Sequence, residues 1–130
     1  MWKAYLDFYD TRLPASTYDD TWTRLQQGTE IHGRAARDGD TIVGIVHFLY
    51  HPHCWTPAPT CYLQDLFVDP ATRGHGAGRL LIEAVAAHAA QTGATRLYWM
   101  TNNSNATARL LYDRLATNRG FIKYDYTLPA

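Results

Sequence analysis

Cysteine is nearly absent from this sequence: Cys54 and Cys61 are the only two among 130 residues. With no second pair to complete a ligand set, a zinc site is not expected. Nothing resembling a secretion signal precedes them, so the chain reads as cytoplasmic with both thiols reduced. A surplus of charge is missing too. Twelve Lys and Arg balance twelve Asp and Glu, so no global field recruits nucleic acid or an anionic membrane. No apolar run approaches the roughly 20 residues that span a bilayer. Repeats, low-complexity segments and linkers are equally lacking, and one domain over residues 1–130 is expected.

What the chain has is a composition fit to fold: 46% apolar and 18% charged residues, enough to bury about two-thirds of the unfolded surface. Trp2, Leu6, Tyr9 and Leu13 recur at helical steps up to Pro14. Ser16 or Thr17 can cap a second helix with a Tyr18/Trp22/Leu25 stripe and a stop at Gly28. Glu30 to Arg37 and Thr41 to Tyr50 read as strands joined by the hairpin signal Asp38-Gly39-Asp40. His51-Pro52-His53 and Pro57-Ala58-Pro59 suggest an irregular loop, and Cys61 to Val68 the next strand. A helix follows with Ala77, Leu80, Leu81, Ala84, Val85 and Ala89 inward, Arg79 and Glu83 outward, and Gly93 as its stop. Thr95 to Thr101 reads as a short strand. Asn102 to Asn105 opens a helix with Ala108, Leu111, Tyr112 and Leu115 inward, and after Gly120 an alternating strand is expected over Phe121 to Leu128. Helices, a hairpin, then strand–helix–strand–helix–strand indicate an α/β or α+β domain with a mixed sheet.

The stretch with most chemistry is Leu66-Phe67-Val68-Asp69-Pro70-Ala71-Thr72-Arg73-Gly74-His75-Gly76-Ala77-Gly78-Arg79. A strand, a glycine-rich loop and a helix in that order aim backbone N–H groups at an anion. A P-loop would need Gly-Lys-Ser/Thr where Gly78-Arg79-Leu80 stands. A dinucleotide fingerprint would need different glycine spacing and an acidic residue about twenty positions on, where Arg96 to Trp99 lie. The histidines 47, 51, 53, 75 and 88 offer no metal-ligand spacing and read as loop or core residues. Trp22, Trp55 and Trp99 read as core or interface residues, since no basic groove accompanies them.

Arg73-x-x-Gly76-x-Gly78, with Asn105-x-x-Ala108-x-x-x-Tyr112 and Gly120-Phe121 downstream, resembles the GCN5-related N-acetyltransferase superfamily. Tyr62 to Val68, Tyr98 to Thr101 and Leu111-Tyr112-Asp113 are similar to its Hpa-like and diamine acetyltransferase subgroups. The resemblance covers roughly residues 40–127. It implies the fold of that superfamily, a mixed, mostly antiparallel sheet flanked by helices, with the first strand expected to be missing here. It implies transfer of acetyl from acetyl-CoA to a primary amine by direct attack in a ternary complex. Polyamines or peptide lysines are the favoured acceptors, with other small amines such as amino acids or aminoglycosides, or a non-catalytic acyl-CoA-binding module, as alternatives. Arg73, Gly74, His75, Gly76, Ala77, Gly78 and Arg79 would hold the pyrophosphate. Phe67 and Val68 would pair with the pantetheine arm, and Asn105 would bond it. Tyr112 would protonate the departing thiolate. Gln64 would contact the acceptor, and Asp65 is the nearest carboxylate for a base. Strand alternation puts Asp65 opposite Tyr62 and Gln64 unless a bulge re-aims it. A homodimer or higher oligomer is implied as well.

Overall fold

The computed structural model describes residues 14–129, so the helix expected over Trp2 to Leu13 lies outside the described residues. The chain divides into two compact units, one through Met100 and one from Thr101 onward.

In the first unit, helix α1 (Ala15–Gln27) begins after Pro14, which is its N-cap, in place of the expected Ser16 or Thr17. Proline lacks an N–H, and that group would have no intrahelical partner at a helix start. Gly28 ends α1 at φ 63°, donating its N–H to the Arg24 carbonyl. Tyr18 and Leu25 are half-buried and Thr21 is buried, while Trp22 is exposed. Strands β1 (His32–Asp38), β2 (Thr41–His53) and β3 (Thr56–Val68) pair antiparallel in sequence order. The expected irregular loop between β2 and β3 is ladder instead, narrowed to Cys54-Trp55. Its prolines are accommodated where the register breaks between His51 and His53, a position at which a missing donor costs no ladder bond.

Helix α2 (Ala77–Thr92) returns the chain to β4 (Arg96–Tyr98), which joins β3 in parallel. A parallel pairing needs such a crossover. The sheet order is β1-β2-β3-β4, mixed and mostly antiparallel. The buried stripe of α2 is Ala77, Leu81, Ile82, Val85 and Ala89. Leu80 and Ala84, expected inward, are exposed, because the stripe is rotated towards Ile82. Against it lie Val46, Phe48 and Cys61, and Val85 is as fully buried as these. Each such apolar side chain contributes about 1.5–3 kcal/mol on burial. Gly93 at φ 88° closes α2, with Gly93 and Ala94 donating to the last carbonyls.

The second unit holds α3 (Ala106–Leu115). Ala108, Leu111, Tyr112 and Leu115 are its half-buried face, as the spacing predicts. The last strand is a correction. Residues 121–128 form no strand, and Phe121, Ile122, Tyr124, Tyr126 and Leu128 are 74–90% exposed. An alternating segment becomes a strand only with a ladder neighbour, and none pairs with it among the described residues.

Candidate active site

The glycine loop is assembled from its own backbone. Asp69 donates its N–H to the Val43 carbonyl at 2.8 Å, fixing the end of β3. The Asp69 carboxylate accepts from the Ala71 N–H at 2.9 Å and caps a 3₁₀ turn over Pro70–Thr72. Arg73 donates from Nε to the Val68 carbonyl at 3.3 Å. Gly74 and Gly76 then take φ 89° and 83°, a region L side chains rarely adopt. A Cβ added at either glycine would meet no protein atom within 4 Å, so the space beside them is open to a ligand. Gly76 is the N-cap of α2, and Ala77, Gly78 and Arg79 are its first residues. Their N–H groups have no acceptor earlier in the helix, and the helix dipole favours an anion there. The loop therefore fits a pyrophosphate. His75 is exposed, and Arg79 holds Glu83 at 2.8 Å on the outer side of α2.

Phe67 and Val68 are the last two residues of β3 before the loop, Phe67 buried and Val68 half-buried. The ladder from β3 to β4 ends at the Tyr62–Tyr98 pair, five residues earlier.

A second candidate feature lies on the α1 face of the sheet. A β-bulge falls between His47 and Phe48: His47 pairs with Asp65 and Phe48 with Leu63, leaving Gln64 as the extra residue. The bulge shifts the alternation by one. His47 and Leu49 share a face of β2 and oppose Asp65 and Tyr62, so Asp65 lies on the same face as Tyr62. Plain alternation had placed it opposite. The Tyr62 hydroxyl is pushed above its ordinary pKa by burial and then by the nearby Asp65 charge. Tyr62 also stacks on Tyr98, ring centroids 4.9 Å apart. Asp65 Oδ2 lies 3.2 Å from His47 Nδ1, with the two side chains 17% and 12% exposed. A cavity of about 230 Å³ opens here, lined by Thr21, Arg24, Ile31, His47, Gln64 and Asp65 among others. Arg24 also pairs with Glu30 at 3.3 Å at the exposed rim. His47 was missed by sequence reasoning, which grouped it with loop and core histidines. Its partner is 18 residues away and is matched to it only through the bulge.

In the second unit, Asn105 is the N-cap of α3, and its Nδ2 donates to Thr101 Oγ1 at 3.3 Å. The Asn102 side chain folds the turn before it, accepting from the Ser104 N–H at 3.0 Å. Tyr112 lies on the half-buried face of α3. Among the described residues no cluster of His, Cys, Asp or Glu is placed to hold a metal, and no helix is long and apolar enough to cross a membrane.

A strand end, a glycine loop and a helix N-terminus on a mixed sheet form a cradle that fits an anion, with a cavity lined by residues of the same strand. The chain belongs to the Acetyltransferase (GNAT) family, whose model matches residues 1–116. It is an acetyltransferase of that family, an N-acetyltransferase, and its donor is acetyl-CoA. The chain is 33% identical over 127 residues to the D-amino-acid N-acetyltransferase HPA3 of Saccharomyces cerevisiae, covering 95% of this chain and 79% of that one. Among solved structures it resembles AAC(6')-Iy in complex with a CoA-linked bisubstrate analogue, with TM-score 0.85, 16% identity and 99% and 90% coverage. It also resembles a ribosomal-protein-alanine N-acetyltransferase from Brucella melitensis, with TM-score 0.70, 23% identity and 81% and 78% coverage. At these identities the two structures establish the shared fold.

Proposed function

We propose that the chain acetylates the primary amine of a small amino acid, by direct attack on acetyl-CoA within a ternary complex. The observation that carries the acceptor class is Arg24 lining the same cavity as the His47–Asp65 pair. A guanidinium recognises a carboxylate through paired N–H donors. Its rim partner Glu30 forms an exposed ion pair, which is worth little and exchanges readily. An amino acid would thus set its carboxylate at Arg24 and its ammonium towards Asp65. A polyamine or an extended lysine side chain, the acceptors that subgroup resemblance favours, would carry positive charge towards Arg24. The 33% identity with a D-amino-acid N-acetyltransferase over 95% of the chain supports the same class.

The donor would be held by Arg73, Gly74, His75, Gly76, Ala77, Gly78 and Arg79 around its pyrophosphate, and along its pantetheine arm by the Phe67–Val68 backbone and Asn105. Loop geometry and the early end of the β3–β4 ladder support this reading. The Asn105–Tyr112 spacing on α3 supports Tyr112 as the acid that protonates the leaving thiolate, and Gln64 in the cavity lining supports an acceptor contact. We propose that both units work as one acetyltransferase domain, since the family model runs across their boundary. The exposed apolar side chains of residues 121–128 support a homodimer or higher oligomer, and the two unpaired thiols support a cytoplasmic setting. Thiol release from acetyl-CoA, measured with amino acids of both hands, polyamines, a lysine peptide and an aminoglycoside, tests the proposal. Turnover fastest with an amino acid is expected. Fastest turnover with a polyamine would overturn the acceptor class, and CoA binding without thiol release for any amine would favour a binding module.

A further inference from the structure

We infer that His47 is the base that deprotonates the acceptor amine, and that Asp65 is the residue that positions it. The inference rests on the acetyltransferase reading above and goes further, because the sequence motifs place no histidine beside the acceptor amine.

The reaction sets the requirement. An amine with an ordinary pKa near 10 arrives as an ammonium ion at neutral pH and has no lone pair to attack with. A base at the acceptor site has to accept one proton before the C–N bond can form. The Asp65 carboxylate already faces the His47 ring at 3.2 Å. An imidazole in the same pair is well suited. In the proposed tautomer Nδ1 carries the proton and donates it to Asp65 Oδ2, 3.2 Å away, and Nε2 is the nitrogen that takes the acceptor's proton. When Nε2 takes up a proton, the carboxylate stabilises the resulting imidazolium. The pair is held rigidly, because the two residues are direct ladder partners on adjacent strands and little exposed. Arg24 from α1 and Asp65 from β3 line the cavity with His47, and Tyr62 lies close enough to Asp65 to feel its charge. The sheet bulge at Gln64 is what brings them together, turning Asp65 to the face that carries His47.

The ammonium gives one proton to His47 Nε2, and the nitrogen lone pair forms the C–N bond to the thioester carbonyl. The C–S bond breaks, and its electron pair leaves on sulfur. The remaining surplus proton on nitrogen ends on the thiolate, delivered through the general acid. His47 returns its proton to solvent, so the products are the amide, free CoA and one proton.

The test compares His47→Gln, Asp65→Asn and Asp65→Glu in the full chain, with an amino acid and with hydroxylamine, a low-pKa amine already neutral at assay pH. His47→Gln is expected to lower kcat with the amino acid by about 10²- to 10⁴-fold. KM for acetyl-CoA should stay within about twofold, which also shows the variant is folded. The acidic limb of the kcat/KM profile should disappear. With hydroxylamine the loss should shrink to less than about tenfold, since there is no proton for the base to remove. Asp65→Asn should lower kcat less than His47→Gln and move the acidic limb, and Asp65→Glu should recover part of the activity. An unchanged pH profile in His47→Gln, or equal losses with both acceptors, would overturn the inference while leaving the acetyltransferase reading intact. A wild-type protein that turns over no amine would overturn both.

Discussion

Replacing Gly76 by alanine isolates what the loop does for the donor. Gly76 sits at φ 83°, and its added Cβ would meet no protein atom within 4 Å. The cost to folding is therefore conformational rather than steric, about 1–2 kcal/mol for holding an L-residue in the left-handed region. Gly39, at the β1–β2 hairpin tip with φ 61° and equally open space, gives a matched control. At about 3–5 °C per kcal/mol for a chain of this size, both variants should lose roughly 3–10 °C in Tm. Their effects on the donor should differ. A methyl group at residue 76 would project into the space proposed for the pyrophosphate, displacing at least one N–H bond to a charged oxygen, worth about 1.5–3 kcal/mol. That converts to an increase of about 10- to 150-fold in the acetyl-CoA dissociation constant for Gly76→Ala, against less than about twofold for Gly39→Ala. Calorimetric titration with acetyl-CoA beside a thermal melt reads both quantities. Equal donor affinity in the two variants, at equal Tm loss, would refute the placement of the pyrophosphate at this loop.

Three further outcomes follow from the same account. Tyr112→Phe should lower kcat by about 10- to 10⁴-fold with little change in acetyl-CoA affinity, as measured by steady-state kinetics. Phe48→Ala should cost about 3–5 kcal/mol in urea unfolding, because the ring is 1% exposed between β1 and α2 and its loss leaves a cavity. The His32 ring stacks on Phe48, and burial, then His88, then Arg34 hold its pKa below 6.5. The unfolded chain then binds the proton more readily, so Tm should fall as pH drops below about 6.5 towards the lowered native value. His32→Phe should flatten that slope.

The sequence was most readable where a local rule fixes the backbone. Gly28 and Gly93 end helices because each takes a positive φ there, and Gly74 and Gly76 shape the loop for the same reason. Asp38-Gly39-Asp40 marks a hairpin that closes where expected. Prolines misled where tertiary pairing absorbs them: Pro52, Pro57 and Pro59 lie inside long strands. Periodicity gave the existence of α2 but misplaced its face by about one residue, because Leu80 and Ile82 are equally apolar and only packing chooses between them. Alternation over residues 121–128 could not supply a ladder partner. The His47–Asp65 pair was beyond any local reading, since one bulged residue decides which face Asp65 occupies.

The most direct test of the central claim is to incubate the purified chain with acetyl-CoA and an amino acid, and to follow free thiol and the acetylated product together. Equal amounts of thiol and N-acetyl amino acid are expected, with the rate falling sharply in His47→Gln. Thiol release without an acetylated amine, or tight acetyl-CoA binding with neither product, would contradict it.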